Sequence, residues 1–83
     1  MFESKTLLIV GGTGSFGNAV LNKFLDTKIT EIRILSRDEK KQHDMRVLYN
    51  NSKLKFFIGD VRDKQSLMSA VKGVDYIFHA AAL

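Results

Sequence analysis

The chain has 83 residues and contains no cysteine, tryptophan or proline. Domains usually contain about 100–150 residues, so this length allows at most one domain. Hydrophobic residues at 45% and charged residues at 27% are ordinary for a globular protein and exclude disordered, collagen-like and disulfide-rich classes. The absence of cysteine excludes a catalytic thiol and a thiolate metal site. Thirteen Lys and Arg against nine Asp and Glu give a net charge of +4, too small and too scattered to indicate nucleic-acid binding.

No stretch of the sequence is typical of a membrane or secreted protein. The longest apolar runs, Leu7–Val10 and Ala80–Leu83, are far shorter than the roughly 20 residues of a membrane-spanning helix. The first residues carry Glu3 and Lys5 and lack the apolar region of a signal peptide. We therefore expect a cytoplasmic protein that binds neither membranes nor nucleic acid.

The first half of the chain predicts two strands and two helices. The continuous apolar run Thr6–Val10 is typical of a strand that is buried on both faces of a parallel sheet. Apolar residues spaced three and four apart then predict a helix from Ser15 to about Asp26. A second strand is predicted at Ile32–Leu35 and a second helix from Asp38 to about Tyr49. The expected buried faces of the two helices comprise Phe16, Ala19, Val20, Phe24 and Leu25, and Met45 with Leu48 or Tyr49.

The second half repeats this alternation. Leu54–Ile58 predicts a third strand, and Val74–Phe78 predicts a fourth. Between them, a helix capped by Asp63 or Ser66 should reach about Val71 and be closed by Gly73. The order β-α-β-α-β-α-β predicts the α/β class: a partial Rossmann fold with a parallel sheet of about four strands in the order 3-2-1-4.

A glycine-rich loop joins the first strand to the first helix. Four of its seven residues are glycine, and Gly11, Gly14 and Gly17 follow the spacing of dinucleotide-binding loops. The first glycine permits a tight turn, the second lets the backbone approach a pyrophosphate, and the third lets the helix lie close to the sheet. The backbone N–H groups at the helix start are donors for phosphate oxygens. No Lys-Ser or Lys-Thr follows, which disfavours a phosphoryl-transfer loop. The predicted pyrophosphate site comprises Gly11, Thr13, Gly14, Ser15, Phe16 and Gly17.

The end of the second strand predicts the choice of cofactor. In dinucleotide folds the residue about 20 positions after the loop meets the adenosine ribose: an acid suits the 2′-hydroxyl of NAD, and an arginine suits the 2′-phosphate of NADP. Ser36 and Arg37 lie 19 and 20 residues after Gly17. We expect Arg37, helped by Lys40 or Lys41, to bind the phosphate of NADP. Asp38, as a helix cap or as a partner of an NAD ribose, is the open alternative.

The ends of the third and fourth strands complete the predicted site. Asp60 and Val61 follow the third strand, where a carboxylate can accept from an adenine amino group and the apolar side chain can pack on the ring. Small residues Ala80 and Ala81 follow the fourth strand and would let a cofactor lie against the backbone. His79 is expected to be a packed histidine at a strand end rather than a catalyst. No metal site is predicted.

Together these motifs resemble the N-terminal part of an extended short-chain dehydrogenase/reductase. The stretches that carry the resemblance are Gly11–Gly17, Gly59–Asp63 and His79–Ala82. Within that superfamily, the glycine loop, Ser36–Gln42 and His79–Leu83 are similar to inverting UDP-N-acetylglucosamine 4,6-dehydratases of capsular polysaccharide biosynthesis. The resemblance implies the Thr13–Phe16 pyrophosphate site, a 2′-phosphate site at Ser36–Lys41 with Arg37 foremost, and an adenine site at Asp60 and Val61.

The resemblance also implies what this chain would lack. Residues 1–83 would form the N-terminal half of an NADP-binding domain, without the catalytic lysine, its partners or the sugar-nucleotide domain. No catalytic residue is assigned, and the chain alone is expected to be inactive. The longer enzyme would act on a UDP-sugar and would be a homo-oligomer. Two alternatives stay open: a nucleotide-sugar epimerase of the same superfamily, and a regulator that senses NADP without turning it over.

Overall fold

The computed structural model describes residues 3–11 and 13–80, which form one parallel sheet of four strands flanked by helices. The elements are β1 (Thr6–Val10), α1 (Ser15–Leu25), β2 (Glu31–Ser36), α2 (Glu39–Tyr49), β3 (Leu54–Ile58), α3 (Lys64–Val71) and β4 (Tyr76–His79). The strands are arranged in the order β3-β2-β1-β4, which confirms the predicted α/β class and strand order. Within the described residues, no helix combines the length and the apolar character needed to cross a membrane.

The strand register brings the carboxyl ends of all four strands to one edge of the sheet. Val10 at the end of β1 pairs with Leu35 of β2 on one side and with His79 of β4 on the other. On the far side of β2, Ser36 pairs with Ile58 of β3. The loops that leave the strands therefore begin side by side, which is where open α/β sheets place their ligands.

Side chains of β1 point alternately into two hydrophobic layers. Leu7 and Ile9 pack with residues of α1 and α2, whereas Leu8 and Val10 pack with Leu35 and with α3 on the opposite face. All four of these β1 residues are buried. The prediction of a strand buried on both faces of a parallel sheet is confirmed.

The buried face of α1 agrees with the predicted one in part: Val20 is buried and Phe24 and Leu25 pack against the core, as predicted, whereas Phe16 and Ala19 do not. Gly17, Val20 and Leu21 are the buried residues of this helix, whereas Phe16 is 58% exposed and Ala19 is also exposed. Gly17, Val20 and Leu21 are spaced three and four apart and share one side of the helix, which faces the core. The Phe16 ring instead lies 5.5 Å from the ring of Phe78.

In α2, the structure decides between the two apolar residues that the sequence left open. Tyr49 packs against the core, whereas Leu48 is 75% exposed. The side chain of Asp38 caps the start of the helix by accepting from the backbone N–H of Lys41 at 2.9 Å. At the other end, Asn50 adopts a left-handed conformation.

The ends of α3 agree with the predicted cap, and β4 begins later than predicted. Asp63 caps α3 and also accepts from the Ser66 hydroxyl at 2.7 Å. Val74 belongs to the turn rather than to the strand, because its backbone N–H donates to the carbonyl of Val71. Gly73 reverses the chain in a left-handed conformation, with φ of 79°.

Candidate functional site

An open cleft of about 980 Å³ lies at the carboxyl edge of the sheet. It brings together eight of the residues that the sequence predicts as cofactor-binding, which lie in the loops after β1, β2 and β3, at the end of β2 and in the first turn of α2: Gly11, Thr13, Ser36, Arg37, Asp38, Lys41, Asp60 and Val61. His79, at the end of β4, is exposed and also lines the cleft, so the expectation that it would be packed is wrong.

The glycine turn is tied directly to the neighbouring strand. The backbone N–H of Gly11 donates to the carbonyl of Leu35 at 2.7 Å, which extends the β1–β2 ladder past the last residue of β1. Gly11 then turns with φ of 73°, a conformation that residues with a Cβ seldom adopt. The first predicted role of a glycine in this loop, the tight exit from the strand, is therefore present.

The N-terminus of α1 lies beyond this turn and has no side-chain cap. Gly14 occupies the N-cap position in an extended conformation, and the first turn of the helix contains no acidic residue. Backbone N–H groups at such an end are available to an anion, and the helix dipole favours negative charge there. Gly14, Ser15 and Phe16 are exposed and Gly17 is buried; none of these four lines the cleft itself.

A side-chain network that the sequence did not predict holds the glycine loop from behind. The Asn18 side-chain amide donates to the carbonyl of Gly14 at 2.9 Å and to that of Thr13 at 3.3 Å. The Tyr49 hydroxyl donates to Asn18 Oδ1 at 2.9 Å and accepts from the Asn22 amide at 3.1 Å. The end of α2 therefore fixes the start of α1.

The basic residues after β2 separate into those that face the cleft and one that does not. Arg37 and Lys41 line the cleft, and the Arg37 side chain is 70% exposed. Lys40 instead points to Asp44 one turn along α2, with its Nζ 3.6 Å from the carboxylate, and does not line the cleft. Asp38 also lines the cleft, and its Oδ1 accepts the capping hydrogen bond from the backbone N–H of Lys41.

Asp60 is the most strongly perturbed titratable group among the described residues. Arg62 donates to its carboxylate through both Nε and Nη2, with a shortest distance of 2.8 Å, and Arg37 Nη1 lies 3.6 Å away. The Arg62 side-chain hydrogen bonds, followed by its backbone N–H and by the charges of the two arginines, lower the pKa of Asp60 from 3.8 to about 2. Asp60 therefore stays ionised and shares its charge with Arg37.

This pKa makes a direct prediction. The pKa of Asp60 in the folded chain lies below its ordinary value, so the stabilising effect of these ion pairs is complete above pH 3.8 and is lost as the pH falls towards 2. We expect the carbon resonance of the Asp60 carboxyl to titrate near pH 2, and Arg62→Ala to move that midpoint towards 3.8. Arg37→Ala should move the midpoint less. Arg46→Ala, at a position of α2 that does not line the cleft, should leave the midpoint unchanged. A midpoint near 3.8 in the unmodified chain would contradict the Arg62 contact.

Of the two alanines predicted to line the cleft, one can be placed. Ala80 is partly buried, packs against the core and donates its N–H to the carbonyl of Val10 at 2.8 Å, continuing the β1–β4 ladder. It does not line the cleft, and Ala81 lies outside the described residues. Across residues 3–11 and 13–80, no three His, Asp or Glu side chains gather in a way that could hold a metal ion.

The strand order and the glycine turn at the edge of the sheet define a Rossmann-like α/β domain. The chain belongs to the polysaccharide biosynthesis protein family, whose sequence pattern matches residues 7–83. It is 68% identical to a UDP-glucose 4-epimerase of Rickettsia prowazekii strain Madrid E and 67% identical to that of Rickettsia felis. In each case the match covers all of this chain and 26% of the relative, so the chain spans about a quarter of the length of these curated relatives.

Solved structures share the same fold. Pen from Bacillus thuringiensis is 34% identical, with a TM-score of 0.94 over 100% of this chain and 26% of that one. The Bordetella bronchiseptica enzyme WbmF in complex with NAD⁺ superimposes with a TM-score of 0.76 over 99% of this chain and 24% of that one. At 17% identity, the likeness to WbmF concerns the fold alone.

Proposed function

We propose that this chain is the cofactor-binding part of a nucleotide-sugar-modifying enzyme of the short-chain dehydrogenase/reductase type, and that its cleft binds NADP. One observation carries the choice of cofactor. At the end of β2 the cleft presents the Arg37 guanidinium and Lys41, whereas Asp38 uses one of its two carboxylate oxygens to cap α2. A 2′-phosphate suits two cations, which favours NADP, and an NAD ribose would instead need the second oxygen of Asp38.

The other residues of the cleft suit the remaining parts of a dinucleotide. The turn at Gly11 and the uncapped start of α1 offer backbone N–H groups for a pyrophosphate. A Cβ added at Gly14 would meet no atom within 4 Å, so the packing of the described residues does not explain a glycine here, and the space beside it is open to a ligand. Asp60 and Val61 line the cleft after β3, in the position proposed for adenine. The proposed cofactor site also includes Ser15, Phe16 and Gly17 in the first turn of α1, which the sequence predicts as part of the pyrophosphate site.

The reaction would take place on a UDP-sugar held by the longer enzyme. A bound nicotinamide cofactor supplies hydride acceptance and return, and the task of this chain is to bind and orient it. The membership of the polysaccharide biosynthesis protein family and the identity to proteins named UDP-glucose 4-epimerase support a nucleotide sugar as the substrate class.

Two reactions are candidates within that class. The resemblance of the glycine loop and of Ser36–Gln42 favours a 5-inverting 4,6-dehydratase that acts on UDP-N-acetylglucosamine. The names of the Rickettsia relatives favour a 4-epimerase. The two are distinguished by mass spectrometry of the UDP-sugar product of the enzyme that contains this chain, since dehydration removes one water and epimerisation leaves the mass unchanged.

The cofactor proposal is tested by calorimetric titration of the chain with NADP⁺ and, separately, with NAD⁺. We expect tighter binding of NADP⁺. Arg37→Ala should raise its Kd by roughly 10- to 100-fold, the loss expected for a hydrogen bond to a charged group, and should change the Kd of NAD⁺ little. Arg46→Ala is the matched control, because Arg46 stacks on Phe56 at 4.8 Å and does not line the cleft. Tighter binding of NAD⁺ would overturn the proposal and would favour Asp38 as the ribose partner.

A further inference from the structure

Gln42 is the most deeply buried polar side chain among the described residues. It lies on α2, a helix otherwise rich in charged residues, and is only 1% exposed. Its amide nitrogen donates to the carbonyl of Phe57 at 2.8 Å and to the hydroxyl oxygen of Ser36 at 2.9 Å, with a longer contact to the carbonyl of Ser36 at 3.4 Å. Gln42 therefore connects α2 to the ends of β2 and β3, directly behind the cleft.

These partners fix which way round the amide lies. Carbonyl oxygens can only accept, so the amide nitrogen must face the carbonyls of Phe57 and Ser36. The amide oxygen is then directed elsewhere, and Gln42 Oε1 is buried without a hydrogen-bond partner in the described part of the chain. Burying an unpaired amide oxygen costs free energy, and an apolar side chain of similar shape would avoid that cost. Packing alone does not explain a glutamine here.

The consequence for Ser36 is a directed hydroxyl group. Its oxygen accepts a hydrogen bond from Gln42, so the hydroxyl proton must point away from the amide. Ser36 is 8% exposed, and it lines the cleft next to Arg37. A hydroxyl that is held as a donor suits a phosphate oxygen, which only accepts and which forms a charge-assisted hydrogen bond about twice as strong as a neutral one.

We propose that Gln42 is a positioning residue that holds the Ser36 hydroxyl as a donor towards the cleft and so increases the preference for a 2′-phosphorylated dinucleotide. This inference rests on the proposed binding of NADP and adds a residue that does not touch the cofactor. Arg37 provides charge at the edge of the cleft, whereas the pair of Gln42 and Ser36 provides a hydrogen bond of fixed direction at its base.

The test compares the Kd values of NADP⁺ and NAD⁺ for the same preparation of each variant. Gln42→Met removes the amide at similar length, and Gln42→Glu replaces the donor with an acceptor towards which Ser36 would turn. We expect each to reduce the preference for NADP⁺ by about tenfold, as Ser36→Ala should. In the Ser36→Ala background, Gln42→Met should reduce the preference no further. Gln65→Met on α3, an exposed glutamine away from the cleft, is the matched control.

The ratio of the two Kd values separates positioning from structural support. A loss of folded protein weakens the apparent binding of both dinucleotides equally, so a variant with lower stability and an unchanged ratio would overturn the inference. Additive losses in the double variant would also overturn it, because Gln42 would then act independently of Ser36. If the unmodified chain binds neither dinucleotide, the proposed function itself fails. If the unmodified chain binds NADP⁺ but Gln42→Met leaves the ratio of the NADP⁺ and NAD⁺ Kd values unchanged, the role of Gln42 is contradicted and the proposed function is not.

Discussion

Replacing Gly59 with alanine is expected to destabilise the fold by roughly 2–3 kcal/mol, the upper part of the range of about 1–3 kcal/mol found for overpacked cores. A Cβ at Gly59 would lie 2.6 Å from both Cβ and Oγ of Ser66 and 3.3 Å from Leu35 Cδ1. Ser66 Cβ is fixed to the backbone of α3 and cannot rotate away, so the helix would have to move off the sheet. The measurement is chemical denaturation followed by circular dichroism.

Two further variants make this prediction specific. Gly73→Ala is the matched control: Gly73 has a φ of 79°, and its Cβ would meet only Arg33 Nη2 at 4.0 Å, so we expect a loss of about 1 kcal/mol from backbone strain alone. Ser66→Gly should recover much of the loss in Gly59→Ala, because it removes the atoms that collide. Equal effects of Gly59→Ala and Gly73→Ala, or no rescue by Ser66→Gly, would contradict the close packing of α3 on β3.

The sequence predicts the strands of this fold better than the faces of its helices. Thr6–Val10 and Leu54–Ile58 were predicted with the observed bounds, because short apolar runs next to glycine or polar residues leave little choice. For α1 the prediction is correct for Val20, Phe24 and Leu25 and wrong for Phe16 and Ala19, and it leaves out Leu21, which is buried. The observed face, at positions 17, 20, 21, 24 and 25, follows the helical spacing of three and four, so the error lies in including the apolar residues Phe16 and Ala19 at its margin.

For the cleft, the sequence predicts which residues lie together but not which partners they contact. The rule that ligands bind at the carboxyl ends of parallel strands is enough to select Ser36, Arg37 and Asp60 as residues that lie together. The partners of these residues were not predicted. Gln42 lies three residues before Met45 on the buried side of α2, but its polar side chain among charged neighbours gives no sign of burial, and its contacts with β2 and β3 are tertiary.

A substitution at Gly14 is expected to weaken cofactor binding without lowering the stability of the fold. It occupies the N-cap of α1 with φ of −84° and ψ of −179°, a conformation open to any residue, and a Cβ there meets no described atom within 4 Å. Serine is a better N-cap than glycine by a few tenths of a kcal/mol. Gly14→Ser should therefore leave the melting temperature unchanged or slightly raised. The same side chain would occupy the space through which a pyrophosphate approaches the backbone, so the Kd should rise by roughly 10- to 100-fold.

The pyrophosphate is common to both dinucleotides, so Gly14→Ser should weaken NADP⁺ and NAD⁺ by the same factor, in contrast to Arg37→Ala. Ala19→Ser adds the same hydroxymethyl group at an exposed position of α1 outside the proposed site, which makes it the matched control. The measurement is calorimetric titration together with thermal melting of the same samples. If Gly14→Ser binds both cofactors as tightly as the unmodified chain does, then the start of α1 is not where the pyrophosphate lies. Gly14 would then be needed neither for binding nor for the stability of the fold.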